Sequence, residues 1–539
     1  MSLIWNKNYA LFKARFPALA QMLPPPPKNI DSLAGQFWNI AAAKNGEPTA
    51  TEKQGGARLH SAYNPSREAA GTIAASALAE KRTAVFYGFA LGYQVVECAR
   101  QFPQKKIILI EPDVSRFYAA LSLIDWSDVL KIQQLVIALG CPEDQILHLI
   151  DDTSSFGIGK TALDDTVFFD IPQFSAHADA YFTNIRAIIK RNKAKNEINT
   201  STLRKFGRLW CRNTLRNIPR MTEIAALPQT LQENPQKNPE DFPALPFLIF
   251  GAGPSLQSVL PHIAELSERA VTVCVETALH ALQRAGIEPD FIILTDPQFW
   301  AYRHIAGLSS KKSVLITELS AFPAVLRFPC KKILLCKSQF PVGEWFEEKM
   351  DVHPANLGAG GSVASCAWNF AQSFGAKEIF TAGMDFAFPG GQTHIKGSSA
   401  EQTWHTVSGR LGGADKFVTA TLCGANVQPG TDYNGNPVLT DSRMKMFAWW
   451  FESRLAACHT ARTFTLCPQG LNVPGITPAP LSLLLEKKKI LKEKADFLDA
   501  VTSNNPCVPA EASDDLRKLL ETFPQPDFLA RYDFLRDYL

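Results

Sequence analysis

The sequence predicts an α/β protein: a central Rossmann-like domain with a parallel sheet, flanked by an N-terminal α/β domain and a C-terminal helical region. Three observations carry this prediction. Short continuous apolar runs recur with helical patterns between them, as expected for a parallel sheet covered on both faces. Most of these runs end in a glycine or in a small polar or acidic residue. Clusters of proline cut the chain into blocks.

Composition limits the possibilities first. The chain has 539 residues, with 55 Lys+Arg against 52 Asp+Glu and a net charge of +3. That near-balance argues against a dedicated nucleic-acid binder, whose partner favours a large basic excess. At 46% apolar and 20% charged residues, the composition is globular rather than disordered. Eleven cysteines without a CxxC pair predict reduced thiols, not a disulfide or zinc framework. No run approaches the ~18 apolar residues of a membrane span, and Lys7, Lys13 and Arg15 break up any apolar signal core near the start. The expectation is a multi-domain cytoplasmic protein.

Proline sets the boundaries. Pro24–Pro27 forms an unbroken extended run behind an amphipathic leader. The polar stretch through Pro228, Pro235, Pro239, Pro243 and Pro246 has no helical or strand period, so 228–246 reads as a linker. Pro468–Pro480 closes the next block. The expected organisation is an N-terminal α/β domain over 1–227 with its leader and a connecting helix, a central domain over 247–480, and a helical region over 481–539. In that last region Leu481, Leu484, Leu485, Leu491, Phe497 and Leu498 have helical spacing.

In the N-terminal domain the strand Thr83–Tyr87 ends at Gly88. Gly92, a helical stretch and the strand Ile107–Ile110 ending at Glu111 follow. These are the parts of a Rossmann-type half without its GxGxxG fingerprint. Either the turn meets a ligand or Gly88 and Gly92 only make it tight. Beyond this unit Arg204, Arg208, Arg212 and Arg216 recur every four residues, which gives one charged helix face that Pro219 ends.

The central domain carries the richer pattern. Phe247–Phe250 leads into Gly251-Ala252-Gly253-Pro254-Ser255 and a helix expected to reach about Leu266. Further strands end at Glu276–Thr277, Asp296, Glu318, Ser338 and Asp385. All carboxyl ends of a parallel sheet lie on one edge, and ligands bind there. The turn Gly251–Ser255 is expected to present free N–H groups to an anion at a helix start. A second helix start, Gly358 to Ala364 with Gly360, Gly361 and Ser362, has the same features, and Ser362 is a natural cap. Neither loop has the GxxxxGK[ST] pattern of a P-loop. Asp296 and Asp385 serve either as turn residues or in hydroxyl recognition, proton abstraction or metal binding. His394, in the glycine-rich loop after Asp385, is either a general base or a surface histidine without a role; His405 beside Trp404 is a weaker candidate of the same kind.

The series Gly251-x-Gly253-Pro254-Ser255-Leu256, Gly286-Ile287-x-Pro289-Asp290, Asp296, Gly360-Gly361-Ser362-Val363-Ala364 and Gly383-x-Asp385 with His394 resembles the motility accessory factor family. Phe86–Tyr93 and Ile110–Asp113 resemble that family's N-terminal α/β domain, and Asn213 and Asn217 its connecting helix. Glu276 departs from the small residue expected after its strand. The resemblance implies a cytoplasmic transferase that moves a nonulosonic acid (pseudaminic or legionaminic type) from a CMP-activated donor to Ser or Thr hydroxyls of flagellin. It implies no metal and no cofactor beyond the CMP-sugar co-substrate, and a central domain similar to bacterial sialyltransferases. Carried onto this chain, Gly251, Gly253, Pro254, Ser255, Gly360, Gly361 and Ser362 face the nucleotide. Thr277 and Ser338 join them in donor binding, and Asp296 and Asp385 line the pocket. His394 or one of these aspartates takes the acceptor's proton. Two alternatives stand beside this reading: a pterin pyrophosphokinase using ATP and Mg²⁺, which the central domain also resembles, and a non-catalytic flagellin-binding factor.

Overall fold

The computed structural model describes residues 3–27, 30–150, 162–229, 244–358, 360–458, 460–503 and 506–539. Two compact units make up the chain, Met1–Leu203 and Arg204–Leu539. The helix Asp179–Asn217 runs across the division between them. All eleven cysteines are free thiols. No helix among the described residues is long and apolar enough to cross a membrane.

The first unit begins with the helices Leu3–Arg15 and Pro17–Met22 and a hairpin of β1 (Trp38–Ala42) and β2 (Pro48–Glu52). Its sheet contains β3 (Thr83–Tyr87), β4 (Lys106–Glu111), β5 (Leu135–Leu139) and β6 (Thr166–Phe169), all parallel in the order β5-β4-β3-β6. Every residue of β3 is buried, which explains its unbroken apolar run. Gly88 and Gly92 have φ of +66° and +100°. A Cβ at Gly88 would fall on the Phe174 carbonyl, and one at Gly92 on the Trp126 ring. The turn is therefore filled by the unit's own side chains. Beside it Glu111 accepts from the Asp113 amide at 3.0 Å and bonds His177 Nε2 at 2.8 Å. Arg116 grips Glu52 through two bonds of 2.7 and 3.2 Å. The space left among these groups is about 10 Å³, room for one water. Of the two sequence readings, the tight turn is the one this packing supports.

The second unit is built on nine parallel strands. These are β7 (Ala225–Ala226), β8 (Phe247–Phe250), β9 (Val271–Val275), β10 (Phe291–Leu294), β11 (Ser310–Thr317), β12 (Cys330–Leu335), β13 (Glu378–Ala382), β16 (Arg462–Thr465) and β17 (Ile476–Pro478), while β14 (Gln428–Thr431) and β15 (Pro437–Thr440) form a separate hairpin. Their order is β17-β16-β13-β8-β9-β10-β11-β12-β7. Successive residues of a strand point to opposite faces. Phe247, Ile249, Val273 and Ile293 thus pack with Trp368, Phe370 and Phe497, while Leu248, Phe250, Cys274 and Ile292 pack with Leu256, Leu279 and Leu282. From β8 the chain steps outward to β12, then returns to lay β13 on the other side of β8. The switch point of the sheet therefore lies between β8 and β13, where α/β folds open a ligand crevice.

One feature differs from the sequence reading. Residues 204–227, grouped there with the N-terminal domain, lie in the second unit, where Ala225 and Ala226 add a strand to β12. Most of the expected linker, 230–243, lies outside the described residues. The C-terminal region is helical as expected, and its helix Leu491–Thr502 sets Phe497 against Phe247 and Phe291 at ring distances of 5.7 and 5.9 Å. The arginine stripe is an exposed face, and its helix stops at Asn217, two residues before Pro219.

Candidate functional site

At the switch point the turn after β8 and the turn after β13 are bonded to each other. The Gly251 N–H donates to the Ala382 carbonyl and the Gly253 N–H to the Gly383 carbonyl, both at 2.8 Å. The Ser255 N–H donates to Asp385 Oδ2 at 3.0 Å, and its hydroxyl donates to Asp385 Oδ1. This corrects the expectation of free amides at Gly251–Ser255, because these three N–H groups are spent on the neighbouring turn. The glycines serve that approach: a Cβ at Gly253 would lie 2.6 Å from the Gly383 carbonyl oxygen. Nor does one helix follow. Pro254–Ser258 and Leu260–His262 are 3₁₀ turns, Pro261 lies in the second, and the α-helix is only Ile263–Ser267. Asp385 is 4% exposed; burial raises its pKa to about 6 against the pull of the Ser255 bonds. Its geometry is that of a group that holds the two turns together.

The second helix start matches its reading more closely. Ser362 caps the helix Val363–Ser373 by accepting from the Ala364 N–H at 3.2 Å. That helix returns the chain to the start of β13, which is parallel to β8, and Cys366 in its first turn meets the Thr295 hydroxyl just past β10 at 3.8 Å, so its start lies at the carboxyl edge of the sheet. The Gly360 N–H, however, is taken by Ser365 Oγ at 3.1 Å. Gly360 and Gly361 lack side chains where Trp450 and Phe447 of the helix Ser442–Ala457 come in, at 2.7 and 3.0 Å from where a Cβ would stand. Ser338 is a second correction. It is fully buried against Gly343, its N–H donates to Glu347 at 2.9 Å, and its hydroxyl bonds the Phe340 backbone, so it shapes a loop and offers nothing to a ligand. Thr277 is half-buried in the first turn of the helix Glu276–Arg284.

Carboxyl groups dominate the edge beside the switch point. Glu276, Asp296 and Glu318 follow the adjacent strands β9, β10 and β11. Glu276 and Glu318 are each 5% exposed, and Asp296 is half-buried. Asp296 accepts from the Gln298 N–H at 2.7 Å, the turn role anticipated for it. Glu318 accepts from the Ser320 hydroxyl and, at 2.8 Å, from the Gln339 N–H. Burial pushes Glu276 up to about 8 and Glu318 up to about 7, with the Asp296 charge adding to both. Asp296 itself is raised by burial. Among the described residues, no ion pair engages any of the three.

Two buried amides hold the loops that carry these acids. Asn213 Nδ2 donates to the carbonyls of Pro297 and Ser320 at 2.9 and 3.1 Å, and Asn217 Nδ2 to those of Leu319 and Ala321, both at 2.8 Å. The sequence reading named these asparagines only through a resemblance; it placed Glu276 and Glu318 on the ligand-binding edge but gave neither a role in the site. Each acid's place directly after a strand was the signal available.

His394 lies in the loop tied to the β8 turn by the Ile395 N–H, which donates to the Ala252 carbonyl at 2.8 Å. Burial lowers its pKa, and the Arg443 charge adds to that, so the ring is neutral and able to take a proton. Arg443 is exposed in the first turn of the helix Ser442–Ala457. After Asp296 the helix Phe299–Arg303 presents Phe299 and Trp300 to solvent, 45% and 65% exposed. His405 is exposed on the helix Ser399–Thr406.

Comparison with known proteins follows this geometry. Residues 39–169 match the family described as the glycosyltransferase Maf N-terminal domain. Residues 212–391 match the family described as 6-hydroxymethylpterin diphosphokinase MptE-like. An uncharacterized protein of Treponema pallidum (strain Nichols) is 34% identical over 237 residues, 37% of this chain and 58% of the relative. A second uncharacterized protein of that organism is 30% identical over 214 residues, 39% of this chain and 70% of the relative. The chain thus spans little more than half of the first relative's length. A solved structure of the Maf glycosyltransferase from Magnetospirillum magneticum AMB-1 has a similar fold, with a TM-score of 0.62 at 16% identity, over 97% of this chain and 80% of the other. The chain therefore carries a Maf glycosyltransferase N-terminal domain over 39–169 followed by an MptE-like domain over 212–391.

Proposed function

We propose that the second unit transfers a nonulosonic acid of the pseudaminic or legionaminic type from a CMP-activated donor to Ser or Thr hydroxyls of flagellin. The transfer would occur in the cytoplasm and serve flagellar assembly and motility. The Maf glycosyltransferase N-terminal domain supports the reaction class. The observation that carries the reading is the row of carboxyls after β9, β10 and β11, two buried and one half-buried, next to the switch point. Carboxyls suit a ligand rich in hydroxyls, each of which donates a hydrogen bond. In the proposed reaction the acceptor hydroxyl attacks the anomeric carbon, the bond to CMP breaks, and CMP leaves with the electron pair. One displacement of this kind inverts the anomeric centre. Neutral His394 takes the acceptor proton. Asp385, engaged with Ser255, acts as a positioning residue.

The experiment incubates the purified full chain with flagellin and a CMP-nonulosonic acid and follows intact flagellin mass. A mass increment that disappears with CMP omitted from the donor, and falls at least tenfold in H394A, is the expected result. Unmodified flagellin with active donor present would refute the reading.

One observation favours a second reading: the match over 212–391 to a family described by a pterin diphosphokinase. That activity would draw on ATP rather than a CMP-sugar. Thermal stabilisation by CMP and not by ATP with Mg²⁺ selects the transferase, and the reverse selects the kinase.

A further inference from the structure

We infer that Glu276 is the group that reads the ribose of the bound nucleotide, receiving its vicinal 2′- and 3′-hydroxyls. This deepens the proposal of a nucleotide-activated donor and rests on it.

The placement comes first. β9 is the immediate parallel neighbour of β8, and Val275, its last residue, pairs with Ile293 of β10. Glu276 directly follows, so its carboxyl lies one strand from the glycine turn at Gly251–Ser255 and one strand from Asp296. Adjacent strands are ~4.8 Å apart, a spacing at which a nucleotide bound outside the switch point has its ribose over the end of β9.

The second observation is independent of that placement. Glu276 is 95% buried by its 5% exposure, and its Oε2 has no hydrogen-bond partner among the described residues. A buried carboxyl oxygen left without a partner is costly. Packing alone does not call for a carboxyl here, because Val275 before it and Ala278 and Leu279 after it are buried apolar residues, and the Cys274 and Cys366 thiols lie close enough to feel its charge. The nearby Asp296 charge acts against it and supplies no donor. A vicinal diol answers both difficulties: it brings two O–H donors to an acceptor that lacks one, and it adds no charge to an edge already crowded with carboxyls. A phosphate at the same place would add one. Glu318 differs, since each of its oxygens already has a donor, the Ser320 hydroxyl and the Gln339 amide.

The test titrates the full chain by calorimetry with CMP, UMP, AMP and GMP, each against its 2′-deoxy counterpart, in the wild type, E276Q and E276A. E276Q keeps the side-chain volume, so a folded variant is available where truncation leaves a cavity; circular dichroism melts check both. The expected result is a wild-type preference of at least tenfold for the ribonucleotide, falling to threefold or less in both folded variants. A folded variant that keeps the wild-type ratio overturns the inference, as does a wild type that binds ribo- and deoxynucleotides alike. If a base other than cytosine binds and the ratio still collapses in the variants, the CMP donor is wrong and the role of Glu276 stands. If no nucleotide binds, both fall.

Discussion

Replacing Asn213 with alanine removes one side-chain amide and leaves two carbonyls, the half-buried one of Pro297 and the buried one of Ser320, without their donor. Asn213 is 1% exposed, so solvent does not replace the lost bonds. At about 1–3 kcal/mol for each orphaned buried group, with partial relaxation, the loops after β10 and β11 lose about 2–4 kcal/mol of local stability. Asn217 acts on Leu319 and Ala321, neighbours of Ser320, so the two asparagines share one loop. The double variant should therefore cost less than the sum of the singles, because releasing the loop once forfeits part of the second pair. Hydrogen–deuterium exchange read by mass spectrometry on peptides covering Glu318–Val325 measures this directly, since the Ala321 amide is bonded to the Glu318 carbonyl at 3.2 Å. At ~1.4 kcal/mol per tenfold, N213A should speed exchange there about 30- to 1,000-fold. Donor-dependent turnover should fall with it, because these loops carry Asp296 and Glu318. Exchange within threefold of wild type, in a protein that remains folded, would refute the reasoning.

Glu318 has a folded pKa of about 7 against 4.5 in the unfolded chain, so the folded state holds its proton more tightly across that window. Stability is then lost as pH rises from about 4.5 to about 7, and E318Q should melt closer to wild type at pH 5 than at pH 8, where the glutamine is the more stable; the opposite trend in paired thermal melts would refute this. G253A drives a methyl into the Gly383 carbonyl and Asp385, and should lower stability by about 1–3 kcal/mol in urea titration, with donor binding lost as the two turns separate. R443A should weaken CMP binding at least fivefold while cytidine, which lacks the phosphate, changes by less than twofold in calorimetry; equal losses for both would remove Arg443 from anion recognition.

The strands were legible because each is buried on both faces and so reads as a continuous apolar run; β8, β9 and β10 stand where the runs Phe247–Phe250, Ala270–Val275 and Phe291–Leu294 predicted them. Their polar ends were legible too, since a carboxyl directly after a buried strand has one edge on which to lie. What a glycine turn faces was not. Gly251–Ser255 has the composition of an anion cradle, but its bonding partners are Ala382, Gly383 and Asp385, some 130 residues away in the chain. Ser338 failed for a related reason: its burial depends on Gly343 passing over it without a side chain, a matter of tertiary approach that local sequence does not encode. The division of the chain was misplaced because Asn213, Asn217 and Ala225 hold to the second unit through partners 84 or more residues away.

The bonds between the β8 and β13 turns change how charge can be distributed over a ligand at this edge. With the amides of Gly251, Gly253 and Ser255 occupied, the glycine turn cannot neutralise a phosphate. The neighbouring strand ends offer no cation to do so, since Glu276, Asp296 and Glu318 stand there, and the upward pKa of each reflects the cost of charge at that edge. Hydroxyl groups meet no such penalty on that side. An anionic donor therefore has one favourable orientation: its hydroxyl-bearing ring over β9–β11, and its phosphate toward the start of the helix Val363–Ser373, where Ser362 caps the chain and the dipole favours negative charge. Arg443, the cation whose charge already acts on His394, lies on the helix whose Phe447 and Trp450 pack against Gly360 and Gly361 of that same start. In this arrangement the leaving phosphate departs on the side of Arg443 and His394, which puts the proton acceptor beside the bond that breaks and the carboxyls where the sugar must be held.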